Sequence, residues 1–405
     1  MFEIYYYIII HNVYTECMSQ WNTLMPEFDH TRRSLLASGA AAISLGFAGC
    51  IQSGGGDSDG QSNESTTGSD SSSEGGDGAS SFDPANPEFP QPMATLISAG
   101  FETGSLSDLE NMEEREKPRY GKPVKETPSK ESELLDPDKL AFAMTPSEDP
   151  AAYRTTMKPL MDNIAKETGK EVEYFPLQSY ASQVEAMRSE RLHIAGFSTG
   201  PTPFAVNLAG AVPFSLQVSG EGDFGYRLWL ATQADNDDIN SLSDLQGKRV
   251  AHSEPSSNSG NQAPRALFAN QGVVPGDDYE VAYSGGHEQS VLGVANGDYD
   301  AAPVCSTCVT RVANAGNLDP SNIKVVWASN PFPTTSFTYR YNLTPEIQEG
   351  IRAAFTDYDY SDTQIAETFE GRGKFTEIDY ATAYDIILQI QENNGVEYQT
   401  DNLGE

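Results

Sequence analysis

The chain has 405 residues, enough for two lobes or two domains with unstructured segments besides. Its 59 Asp and Glu against 25 Lys and Arg leave a formal net charge of -34, which excludes nucleic acid and anionic membrane surfaces as partners. With 38% hydrophobic residues a core still forms, and so acidic a surface suits a halophile's protein, kept soluble at high salt that screens long-range repulsion.

Residues 5–10 are three Tyr and three Ile, too short a run to span a bilayer, and Met18 and Met25 are alternative starts. Arg32 and Arg33 then precede an apolar stretch that ends in Ala48, Gly49 and Cys50. Twin arginines, a short apolar segment and a small-residue end make residues 1–50 an export signal, and Cys50 resembles the lipidated cysteine of an anchored lipoprotein. The alternative is a short anchor left uncut, and both readings place the rest outside the cell. Residues 51–90 are mostly Gly, Ser, Asp and Glu, the composition of a disordered tether. Residues 91–138 mix Met93, Leu96 and Phe101 with charged and Pro-rich pieces, and read as an irregular arm over the first lobe.

Regular structure is predicted to begin with a strand over 140–145. Asp149 before Pro150 reads as an N-cap with proline at the first helical position, and Tyr153, Met157, Leu160, Met161 and Ile164 fall on one face of the helix. A strand over 171–176 follows, then a helix capped by Ser179, then a strand over 193–197 running into Ser198 and Thr199. Residues 226–232 alternate like a strand and leave the first lobe, and 241–248 form a short capped helix. Two strand-loop-helix units come next: strand 249–252 with a helix over 263–270, and strand 279–283 with a helix opened by His287. Strands over 323–328 and 336–340 carry the chain back, and 345–390 is an interrupted helical segment packing on a lobe. Such alternation predicts an α/β protein of mixed, mostly parallel sheets whose ligand site lies beyond the strand C-termini. Residues 139–230 and 331–400 make one lobe and 231–330 the other, with two crossing segments as a hinge around a cleft.

The two loops that open helices carry the chemistry. One holds Ser256, Ser257, Asn258, Ser259 and Gly260; the other holds Ser284, Gly285, Gly286 and His287. A helix start offers unpaired N–H groups and the positive end of its dipole, so two adjacent starts suit a small oxyanion. His252, within the strand beside the first loop, reads as structural. A second reading, a hydrolase pairing Ser257 or Ser259 with His287, lacks a Gly-x-Ser-x-Gly elbow and a carboxylate at recognisable spacing to orient the histidine. Outside the cell Cys305 and Cys308 suggest a disulfide, the alternatives being a thioredoxin-like redox pair or half a zinc site. No second Cys pair or spaced His pair completes tetrahedral coordination, and no metal or cofactor is expected.

Residues 245–250, the loop 254–260, His287 and Glu288 with residues 292–296, and Asp298 and Asp300 resemble the phosphate, phosphite and phosphonate substrate-binding proteins of ABC transporters. The likeness spans about residues 139–395 and implies a two-lobed type II periplasmic-binding fold that captures a phosphorus oxyanion for a membrane permease. It further implies that Ser257, Asn258 and Ser259 hold the phosphoryl oxygens, that His287 adds a donor, and that Tyr180 and Tyr226 face the ligand. Ser198 and Thr199 at a strand end join the same set. Relatives that take aminoethylphosphonate often have Thr where Asn258 stands, and acidic residues where Thr307 and Thr335 stand. A ligand amine closed in without a carboxylate loses its water for no partner, so phosphate, phosphite or a small alkylphosphonate is expected instead. The expected protein is a monomer, tethered to the membrane by lipid and partnered by an ABC permease.

Overall fold

Short apolar runs alternating with capped helices build two sheets, each with its own core. The computed structural model describes residues 82–146 and 152–403. The export signal with Cys50, residues 51–81 of the tether, and the cap at Asp149 and Pro150 lie outside the described residues. Among the described residues no helix is long and apolar enough to cross a membrane.

In chain order the strands are β1 (Gln91–Pro92), β2 (Gly104–Ser105), β3 (Lys139–Ala143), β4 (Glu171–Tyr174), β5 (Ile194–Phe197), β6 (Ala211–Val218) and β7 (Asp223–Phe224). They continue as β8 (Leu228–Gln233), β9 (Arg249–His252), β10 (Glu280–Tyr283), β11 (Ala302–Cys305), β12 (Ile323–Ala328), β13 (Ser336–Arg340) and β14 (Lys374–Glu377). The first lobe's sheet runs β14-β6-β13-β5-β3-β4. Its parallel pairs are β3 with β4 and β3 with β5, while β13 pairs antiparallel with β5 and β6, and β14 antiparallel with β6. The second lobe's sheet runs β1-β12-β8-β11 with antiparallel pairs, and the parallel pair β9 and β10 joins it through a bridge between Val250 and Ala301.

The sheets are thus mixed, with less parallel pairing than the alternation of elements predicts. A parallel pair needs a long crossover, usually a helix, and β8 and β13 are each reached across the hinge without one. Strands β6 and β11 are absent from the sequence reading because each contains a proline, Pro213 and Pro303, which argues against a strand. In β6 that proline falls at a register shift against β13, where the ladder tolerates it.

Leu140, Phe142, Leu160, Ile164, Phe337 and Phe355 fill the first lobe's core. Trp229, Val291, Val304, Val309 and Val325 fill the second. Each such side chain stabilises its lobe by about 1.5–3 kcal/mol. A third cluster joins the lobes, with Leu216, Tyr384 and Ile387 packed in one core with Leu245, Val250 and Phe268. The chain passes between lobes from β6 to β8 and again from β12 to β13. There the Tyr226 N–H donates to the Phe332 carbonyl at 3.1 Å, and the Phe332 N–H donates back to Tyr226 at 2.8 Å. Gly225 before them has φ +71° and its Cα lies against the Phe332 carbonyl, where a side chain has no room.

The N-terminal segment departs most from expectation. Residues 82–90 are not tether: Phe82 and Phe89 pack on Phe101 with ring centroids 5.0 and 6.3 Å apart. Two aromatics escape notice in a window dominated by Gly, Ser and Asp. The arm also begins on the second lobe, where β1 extends the sheet beside β12 and Met93, Leu96 and Phe101 join the core. It then adds β2 to the hinge segment β7, and only afterwards reaches the first lobe. Lys122 N–H bonds Asn207 at 2.8 Å and Leu135 N–H bonds the Asn342 carbonyl at 2.7 Å. The C-terminal helix Asp385–Asn393 also touches both lobes, through Gln391 to the Gly200 carbonyl at 2.9 Å; Asn394, just beyond it, bonds the Gln262 carbonyl at 2.8 Å.

Candidate functional site

Strand β9 ends at His252, and a loop of small residues leads into Asn258–Gln262, a wide helical turn that continues as the helix Ala263–Leu267. Ser257 is the N-cap, its Oγ accepting from the Gly260 N–H at 3.2 Å. Behind the loop, His252 Nδ1 meets Asn261 Oδ1 and its Nε2 meets the Tyr279 hydroxyl, both at 2.9 Å. Burial holds the His252 ring neutral, pushed down to about 4. His252 is therefore a fixed strut under the loop.

The second loop turns at Gly285, φ +91°, and opens the helix His287–Ala295. His287 Nδ1 accepts from the Cys305 backbone N–H at 3.3 Å and lies 3.1 Å from Ser253 Oγ. A backbone N–H can only donate, so the ring proton sits on Nε2, 3.4 Å from Ser257 Oγ. His287 thus presents an N–H beside the first loop. A third helix, Ser306–Asn314, starts from β11 with Cys305 as its cap and a disulfide joining Cys305 to Cys308.

The first lobe and hinge close the other side. Ser179 caps the helix Tyr180–Arg188, its Oγ accepting from Ser182 N–H at 3.1 Å, which sets Tyr180 at the helix start. At the end of β5, Thr199 donates to the Pro333 carbonyl at 2.9 Å. The Tyr226 hydroxyl receives the Asn258 amide at 3.0 Å.

All ten residues singled out in the sequence line one cavity: Tyr180, Ser198, Thr199, Tyr226, Ser257, Asn258, Ser259, His287, Thr307 and Thr335. About 40 Å³ is open there to the centre of a water molecule. Both disulfide sulfurs belong to lining residues as well.

Two cations escaped sequence reading. Arg311 and Arg372 line the same cavity. Glu370 pairs with Arg372 and lies 3.7 Å from Arg311. Arg372 is 3% exposed and also donates to the Gly225 carbonyl at 3.2 Å, so a first-lobe cation is pinned to the hinge. Two guanidinium groups thus stand on the wall with Glu370 between them, and Glu102 on the arm also acts on Arg372. A signal for Arg311 exists in the sequence, since it stands one helical turn after Thr307. Arg372 has none, because its neighbours in space are distant in the chain. Among the described residues no carboxylate lines the cavity, and no group of His, Cys, Asp or Glu is placed to hold a metal.

The family model for periplasmic substrate-binding proteins of phosphonate ABC transporters matches residues 142–384. The chain belongs to this family. The binding protein is 31% identical over 233 residues to the phosphate-import protein PhnD of Mycolicibacterium smegmatis, covering 54% of this chain and 71% of that one. It is 26% identical over 223 residues to the phosphonates-binding periplasmic protein of Escherichia coli, with 54% and 66% covered. Its fold matches a binding component of a Pseudomonas aeruginosa phosphonate transporter at TM-score 0.57 and 23% identity, over 64% of this chain and 88% of that chain. It also matches PhnD1 of Prochlorococcus marinus, solved with methylphosphonate, at TM-score 0.55 and 17% identity, over 64% and 99%. These neighbours share the two-lobed periplasmic-binding architecture.

Family membership makes the chain an exported binding protein serving an ABC transporter, and not an enzyme. The geometry gives a reason. Ser257 and His287 do approach each other, but Nε2 already carries the ring proton and cannot take one from the serine. Nδ1 faces a backbone N–H and a serine hydroxyl, where a hydrolase places a carboxylate.

Proposed function

We infer that the cavity takes a single small phosphorus oxyanion, namely phosphate, phosphite or a short alkylphosphonate, and disfavours aminoethylphosphonate. The carrying observation is the wall itself: hydroxyls, an imidazole N–H and two arginines, with no carboxylate among the described lining residues. An ammonium group enclosed there loses its water at a cost of about 1–3 kcal/mol with no anion to meet it. Size argues in the same direction. A bound water needs roughly 10–15 Å³ by the same measure, so about 40 Å³ suits a tetrahedral anion and not a nucleotide or sugar. The Mycolicibacterium smegmatis relative is named for phosphate import, which fits this ligand class.

In this reading the lobes close over the anion, and the loaded protein delivers it to an ABC permease. The twin arginines at Arg32 and Arg33 direct export, and Cys50 carries the lipid that keeps a monomer at the outer face of the membrane. Titration calorimetry with phosphate, phosphite, methylphosphonate and aminoethylphosphonate tests the ligand. The expected order places aminoethylphosphonate last, and its binding tightest would overturn the assignment.

A further inference from the structure

We propose that Asn258 reads a proton on the ligand, so that the cavity selects oxyanions bearing an O–H over isosteric ones that bear none. This rests on the oxyanion reading of the cavity and names which oxyanions pass.

Asn258 is 2% exposed and lines the cavity. Its amide turns the NH2 toward Tyr226. Thr199 gives its hydroxyl proton to the Pro333 carbonyl at 2.9 Å, so it meets other groups as an acceptor. The Tyr226 phenol, with one proton of its own, meets Thr199 and Ser259 besides Asn258. The phenol oxygen then receives the Asn258 NH2 at 3.0 Å. That leaves Asn258 Oδ1 at the other end of the amide, buried and with no partner among the described residues. An amide oxygen can only accept. Thr145 Oγ1 on the same wall is also buried and unpartnered, but a hydroxyl can turn either way and decides nothing.

Donors on the wall include His287 Nε2–H and the guanidinium groups of Arg311 and Arg372, its hydroxyls can turn either way, and Gln217 spends its NH2 on the Arg372 carbonyl. Asn258 Oδ1, an acceptor left without a protein partner among the described residues, complements a tetrahedral anion that keeps a single proton. An unprotonated oxygen set against Oδ1 places two lone pairs face to face in a buried site. Hydrogen phosphate and hydrogen methylphosphonate carry such a proton. Sulfate and alkylsulfonates do not. Charge cannot make this distinction, because hydrogen phosphate and sulfate carry equal charge, as do hydrogen methylphosphonate and methanesulfonate. The proton is what differs within each pair.

Those two pairs are the test, titrated by calorimetry into the full exported chain at one fixed pH near neutrality. In the wild type the protonated member of each pair is expected to bind up to about a hundredfold tighter, the scale of one buried acceptor left unsatisfied. Asn258→Asp keeps an acceptor and keeps the ratio. Asn258→Ser replaces it with a hydroxyl that can donate, and brings the members within about tenfold of each other. Sulfate within tenfold of phosphate in the wild type overturns the proposal, as does a full ratio retained in Asn258→Ser. Binding of neither member of either pair defeats the oxyanion reading itself. If the variants do not fold, the wild-type ratios alone decide.

Discussion

The two walls of the cavity are built by different means. The second lobe's wall comes from strand ends that run straight into helices, so Ser257 and His287 owe their positions to caps and turns a few residues away. The first lobe and hinge wall is assembled from distant segments: Arg372 is held by the Gly225 carbonyl 147 positions earlier, and Thr199 by Pro333 at a separation of 134. On the first wall a side chain can be lost while the backbone that carries it stays in place. On the second, the groups that meet the anion also hold the lobes together. Affinity and stability are therefore separable on one wall and coupled on the other.

The strongest test of that coupling is Arg372→Ala. It removes a buried guanidinium from Glu370 and from the Gly225 carbonyl, leaving Glu370 only Arg311 at 3.7 Å, and is expected to destabilise the protein by about 3 kcal/mol in denaturant melts, with anion binding lost in calorimetry. A stable variant that merely binds weakly would show the walls to be alike. Gly225→Ala comes next: its positive φ and the adjacent Phe332 carbonyl predict a loss of about 1–3 kcal/mol of stability although Gly225 is not itself a lining residue. On the helix-start wall, Ser257→Ala and His287→Ala are each expected to weaken binding about ten- to a hundredfold, the scale of a hydrogen bond to a charged group, with circular dichroism unchanged. Unchanged affinity in both would misplace the site.

A pH dependence is expected where the walls meet the arm and each other. Burial pushes the carboxyls of Glu102, on the arm, and Glu254, which accepts the Tyr180 N–H, up to about 7 from 4.5. Between those values the folded protein binds more protons than the unfolded chain, so these groups make stability fall as pH rises through that window and level off above it. Melting temperatures across the window check the sign, and Glu254→Gln is expected to flatten part of the slope.

The same division explains what could be read in advance. The strand-loop-helix units at His252 and His287 announce themselves, because glycine, serine and a capped helix are local signals. The extents of β9, β12, β13 and the helix from His287 agree with the expected ones for that reason. Prolines hid β6 and β11, whose pairing is decided by partners far along the chain. Tyr180, Tyr226, Thr307 and Thr335 drew notice through family likeness and not through any periodicity. Arg372 drew none, since nothing around it in the chain says that Gly225, Glu370 and the cavity converge there.

The segment ahead of the family-matched region is fastened to the second lobe at β1, to the hinge at β2 and to the first lobe at Leu135. If the lobes part to admit the anion, the movement loads a strap tied at both ends. Observed affinity is the intrinsic affinity scaled by the fraction of molecules in the competent form. Such a strap sets that fraction without touching the anion. Two proteins with the same pocket and differently fastened straps would then fill at different ambient concentrations.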